Sequence, residues 1–144
     1  MNAKEYEAAI DELKMAVGLL VRRIRAAAPS EQREFSWTQK SVMARLEREG
    51  PMTAADLARA EGVKPQSMGT AIMHLEELGL IEKNADASDG RQINIELTAK
   101  GATLRKSGRD ASRAWLGQAI SKLDKRKQGL LFEAGEIIKQ LAEL

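Results

Sequence analysis

Apolar residues recur at every third or fourth position between Lys4 and Ala28, at Ile10, Leu13, Val17, Leu20, Val21 and Ile24. This spacing predicts a long amphipathic helix, ended by Pro29-Ser30. Ser36-Trp37-Thr38-Gln39 is a Ser-x-x-Gln capping box, in which the hydroxyl and the Gln side chain each satisfy one orphan amide; it opens a helix that carries Val42, Met43 and Leu46 and stops at Gly50-Pro51. Thr53-Ala54-Ala55-Asp56 caps a short Ala-rich helix running through Leu57 and Ala60 to Gly62. Pro65 suits the first position of the next helix, whose Met68, Ile72, Leu75 and Leu78 share a face before Gly79. Leu80-Ile81 begins an extended stretch, Ala85 to Arg91 is a polar loop containing Asp89-Gly90, and Gln92 to Leu97 alternates polar with apolar. That pattern predicts a hairpin with one buried face and a projecting tip. Thr98 caps a long helix through Leu104, Ala111, Trp115, Leu116 and Ile120, and a break near Leu123-Asp124 precedes a last helix bearing Leu130, Leu131, Ala134, Ile137, Ile138 and Leu141.

Two short capped helices joined by a tight turn and followed by a hairpin predict a winged helix-turn-helix, a mainly α fold with a small β wing. The long helices at both ends carry apolar stripes that so small a core cannot bury, so they are expected to pack against a second copy as a two-fold dimer. Of the 144 residues, 43% are hydrophobic but only 3% aromatic, which leaves the core to Leu, Ile, Val, Met and Ala. With no Cys and a single His, the chain cannot hold disulfides, thiol nucleophiles, cysteine zinc sites or an intrachain histidine metal cluster. That one histidine, His74, has no nucleophile motif beside it, and no glycine-rich nucleotide pattern occurs, so neither an enzyme nor a cofactor is expected. No apolar run nears the roughly 20 residues needed to span a bilayer, and Lys4, Glu5, Glu7, Asp11 and Glu12 break the order of a signal peptide. No membrane partner and a cytoplasmic location are therefore expected. The net charge of +2 implies a polyanionic partner only if the cations are grouped on one surface.

Along the chain, Ser36-Trp37-Thr38-Gln39, Gly50-Pro51-Met52-Thr53, Asp56-Leu57-Ala58 and Leu75-Glu76-Glu77-Leu78-Gly79-Leu80-Ile81 are followed by Asp89-Gly90-Arg91 and Leu97-Thr98-Ala99-Lys100-Gly101. In that order and spacing they resemble the MarR transcriptional regulators over essentially the whole chain. The resemblance implies a homodimer that binds palindromic double-stranded DNA, mostly as a repressor, and is in many members released by a small aromatic or phenolic effector. It also divides the chain into a winged helix-turn-helix DNA-binding region at 33–98 and a helical dimerisation region at 1–32 and 99–144.

If Met68, Ile72 and Leu75 turn inward, Gln66, Ser67, Thr70 and His74 point outward and can reach base edges in a major groove. Gln66 suits adenine, Ser67 and Thr70 suit a phosphate or base edge, and the Thr70 methyl can meet a thymine methyl. Gly69, in mid-helix, costs about 0.5–1 kcal/mol relative to Ala; a close approach of DNA or of a neighbouring helix would explain it, and a neutral surface position is the other reading. By resemblance, Asp89 braces Arg91 and Arg91 enters the minor groove, where a narrow A·T-rich tract attracts a cation; the alternative is a surface ion pair between the two. Lys40, Lys64 and Lys83 neighbour these elements and are candidate phosphate contacts, or else solvated lysines. Of Lys100, Arg105, Lys106 and Arg109, the first could touch phosphate, while the later ones face solvent or a partner chain. The same resemblance places an effector cleft among Trp37, Trp115 and Arg22, with Arg23 and Arg25 nearby; simple packing of both tryptophans is the competing reading. The alternative from another class is a winged-helix protein-interaction adaptor without specific DNA binding, which a steep fall of DNA affinity with salt would exclude.

Overall fold

The computed structural model describes the backbone of all 144 residues and the side chains of all but Glu31 and Arg33. The elements run α1 (Ala3–Ala26), α2 (Ser30–Arg33), α3 (Trp37–Glu49), α4 (Ala54–Glu61), α5 (Pro65–Glu77), β1 (Ile81–Ala85), β2 (Ile93–Leu97), α6 (Ala99–Ser121) and α7 (Lys125–Ala142). They fall into two compact units: Pro29–Arg109, and Met1–Ala28 together with Asp110–Leu144. Among the described residues, no helix is long and apolar enough to cross a membrane.

The unit at 29–109 is a winged helix-turn-helix, as the hydrophobic pattern predicts. The helix ends lie where the caps place them. Ser36 and Gln39 close a reciprocal capping box on α3, the Thr53 hydroxyl accepts the Asp56 amide at the start of α4, and Gly62 ends α4 in the left-handed conformation at φ 63°. Pro65 occupies the first turn of α5, where its missing N–H costs nothing. From these helices Val42, Met43, Leu46, Leu57, Met68, Ile72 and Leu75 converge with Leu80, Ile81 and Ile95 of the wing into one core. Arg45 ties α3 to α4 by reaching Glu61 at 2.9 Å.

β1 and β2 pair antiparallel with Ile81 opposite Leu97 and Ala85 opposite Ile93. Two features go beyond the sequence pattern: the short helix α2, and a bridge in which Met52 and Ile95 exchange backbone hydrogen bonds of 3.1 and 2.7 Å. Ile93, whose alternation with Ile95 and Leu97 predicts burial, is half exposed because it pairs at the far end of the hairpin, beyond the core. The base of the wing is locked to α6. Thr98 donates its hydroxyl to the Gly79 carbonyl and accepts the Gly101 amide, and its own N–H bonds the Leu80 carbonyl. A Cβ at Gly101 would run into that Leu80 carbonyl and the Leu97 side chain, so the Thr-x-x-Gly spacing is a packing requirement.

The second unit holds α1, the C-terminal part of α6, and α7. Asn2 and Glu5 cap α1, and Asp124 caps α7 after the break the sequence predicts. Neither α1 nor α7 buries a single residue, and Leu13, Phe132, Ile137 and Leu141 stand more than half exposed.

Candidate nucleic-acid interface

Helix α5 buries Met68, Ala71, Ile72 and Leu75, which fixes the phase of everything else on it. Gln66, Ser67 and Thr70 are consequently exposed on its outer side, as is Met73, which the sequence reading does not single out. The Thr70 hydroxyl donates back to the Gln66 carbonyl at 3.2 Å, leaving its oxygen lone pairs and its methyl for a partner. His74, exposed on the same helix, also has a partner within the chain. Gln39 Oε1 accepts the Ser36 amide, so the NH2 of that amide faces the imidazole and donates to His74 Nδ1, while the ring leans toward Phe35 with centroids 6.5 Å apart. His74 therefore links α5 to the capped start of α3.

The wing tip is organised by Asp86. Its carboxylate accepts the Ser88 hydroxyl at 2.6 Å, the Asn94 amide at 2.6 Å, and the backbone N–H groups of Asp89 and Ser88 at 2.9 and 3.0 Å. These bonds, the Ser88 hydroxyl first and the Asn94 amide second, hold the Asp86 carboxyl down at about 2. Asp89 in turn accepts the Arg91 N–H at 3.1 Å, so it shapes the backbone and forms no ion pair with the guanidinium. Among the described residues the Arg91 guanidinium has no ion-pair partner, and it projects from an ordered turn. Asp86 was open to discovery in the sequence, because Asp-x-Ser-Asp ahead of Gly is an Asx-turn signature.

The surrounding cations divide by partner. Lys64, exposed at the N-terminal end of α5, has no ion-pair partner among the described residues, whereas Lys83 lies 3.6 Å from Glu76. Lys40 sits in the first turn of α3. Lys100 donates to the Leu78 carbonyl at 2.8 Å and so satisfies the end of α5. Arg105 and Arg109 both engage Glu47, fastening α6 to α3.

The expected effector residues fall in different units, Trp37 in 29–109 and Arg22 and Trp115 in 1–28 and 110–144. Trp37 is 64% exposed in the reading unit, and in the helical unit the Trp115 ring is covered by Arg23, at 5.2 Å, and not by Arg22. A different cleft of about 590 Å³ lies beside the end of α5, between Phe35, His74, Leu78, Leu80, Lys100 and Leu104.

A capped helix pair presenting a polar outer face, followed by a braced wing with an exposed arginine, defines the winged helix-turn-helix class of transcriptional regulators. The sequence model of the MarR family matches residues 35–93. An HTH-type transcriptional regulator of Mycobacterium leprae is 33% identical over 132 residues, covering 92% of this chain and 91% of that relative. A transcriptional regulator from Pseudomonas aeruginosa is similar in structure, with TM-score 0.83 and 26% identity, covering 100% of this chain and 99% of that one. FabT of Streptococcus pneumoniae, solved in complex with DNA, shares the fold at TM-score 0.74 and 17% identity over 96% of this chain and 97% of its own. The chain belongs to the MarR family of transcriptional regulators.

Proposed function

We infer that the protein binds an inverted-repeat operator in double-stranded DNA as a homodimer and represses by occupying it. The observation that carries this reading is the pairing of an exposed polar face on α5, at Gln66, Ser67 and Thr70, with an Arg91 that no acidic side chain among the described residues neutralises, on a wing ordered by Asp86. Residues 33–98 read the DNA: α5 lies in a major groove with Gln66 on a base edge, and Arg91 reaches the adjacent minor groove. Lys64 serves the phosphates, and Lys83 joins it by exchanging Glu76 for phosphate; Asp89 shapes the wing, and His74 positions α5. Residues 1–32 and 99–144 pair two copies through the bare apolar faces of α1 and α7, setting the half-sites about one helical turn, 10 to 10.5 base pairs, apart.

A small aromatic acid is the effector class this reading accommodates, and the cleft beside His74 suits it. Apolar walls from Phe35, Leu78, Leu80 and Leu104 meet the Lys100 ammonium there. Such a ligand lowers DNA affinity only if it binds more tightly when His74 leaves Gln39 and α5 shifts.

Selection of bound sequences from a random duplex library, at two salt concentrations, tests the function. An enriched inverted repeat is expected, with Gln66→Ala relaxing preference at one base pair per half-site. Uniform binding that salt abolishes would reduce the protein to a non-specific DNA binder, and no DNA binding at either salt concentration would favour the adaptor.

A further inference from the structure

Gly69 and Met73 are two residues on the outer side of α5 that packing within the chain does not explain. Met73 is 54% exposed on a helix that buries its other methionine, Met68, completely. An apolar side chain of that size gains free energy when a partner covers it. A Cβ added at Gly69 would meet nothing within 4 Å, so no neighbouring helix demands the glycine. It nevertheless weakens the helix relative to Ala. The two observations meet in space, because a helical side chain leans back over the turn before it. Met73 is thereby directed toward Gly69 and Thr70, where the missing Cβ leaves room and the Thr70 methyl borders the same spot. Met73 also stands two turns beyond Gln66, about 10.5 Å along the helix.

Resting on the DNA-binding reading above, we propose that Met73, with Gly69 and the Thr70 methyl, forms an apolar notch that selects a thymine by its C5-methyl group, at a different base pair from the one read by Gln66. That methyl is the one apolar group a base pair presents in the major groove, and only thymine carries it. An unbranched, polarizable thioether adapts to it without needing a hydrogen bond.

The test is competition binding on the operator that the wild-type protein selects, with each thymine replaced in turn by deoxyuridine, which deletes only the methyl. Burial of one methyl corresponds to about fourfold in affinity. Wild type is expected to lose about that factor at one thymine per half-site, Met73→Leu to keep the discrimination, and Met73→Gln and Met73→Ala to lose it. Since Met73 is exposed, all three variants should melt like wild type. A wild-type protein indifferent to every uracil substitution overturns the proposal while leaving sequence-specific DNA binding intact. Discrimination that persists in Met73→Ala assigns the methyl to Thr70 and overturns it equally, and a wild type that selects no sequence overturns both readings.

Discussion

The unit at 29–109 and the helical unit at 1–28 and 110–144 are built from the same kind of amphipathic helix, yet they dispose of their apolar stripes in opposite ways. α3, α4 and α5 turn theirs into a common core in which Val42, Leu57, Met68 and Leu75 are fully shielded from water. α1 and α7 leave theirs bare. Burying a Leu- or Ile-sized side chain is worth about 1.5–3 kcal/mol, so the first unit gains from its stripes within one chain, and the second gains only from whatever surface covers it. The same feature, an apolar residue every third or fourth position, thus marks a core in one place and an uncovered face in another. What separates them is whether neighbouring elements with complementary stripes lie within the unit.

The core should respond most strongly to perturbation. Leu75→Ala is expected to lower unfolding free energy by about 2–5 kcal/mol in denaturant titration; a loss under about 1 kcal/mol would mean that the reading unit is not packed around this side chain. In the helical unit, Ile137→Asp should leave helix content unchanged by circular dichroism but weaken self-association at least about tenfold in sedimentation equilibrium. An unchanged association constant would remove this face of α7 from the interface. On the outer surface of the reading unit, Arg91→Ala should cost about 1–3 kcal/mol of operator affinity without shifting Tm, and undiminished affinity in a salt-controlled titration would withdraw the wing from the DNA. The mildest effect is local. Because the folded-state pKa of Asp86, about 2, lies below the ordinary carboxylate value of about 3.9, its contribution to wing order is complete above about pH 4 and fades as pH falls through about 2. The Ser88 and Asp89 amides should lose their exchange protection across that window, and Asp86→Asn should abolish the dependence; protection that ignores pH would contradict the role given to Asp86.

Most of the fold can be read from the sequence because its boundaries are written in short local motifs. Ser36 with Gln39, Thr53, Pro65 and Asp124 start helices where the structure has them, and Gly62 and Gly79 end them. What escapes the pattern is either too short or too distant. The four residues of α2 hold barely one helical period, and a single bridge between Met52 and Ile95 leaves no alternation to detect. In the candidate site, helical phase alone finds Gln66, Ser67 and Thr70. The same phase reaches Met73, whose apolar character disguises it as core. The partner of His74 within the chain is Gln39, 35 residues earlier, and no local spacing reports such a contact. Asp86 is the reverse case, with a local signature overshadowed by the neighbouring Asp89 and Arg91.

In the proposed function, one unit reads DNA while the bare faces of the other join two readers on a single operator. Sedimentation equilibrium of the protein with a duplex carrying one selected inverted repeat tests it most directly. Two chains per duplex, reduced to weak single-chain occupancy by Ile137→Asp, is the result this account predicts. One chain per full operator, bound as tightly by Ile137→Asp as by wild type, would contradict it.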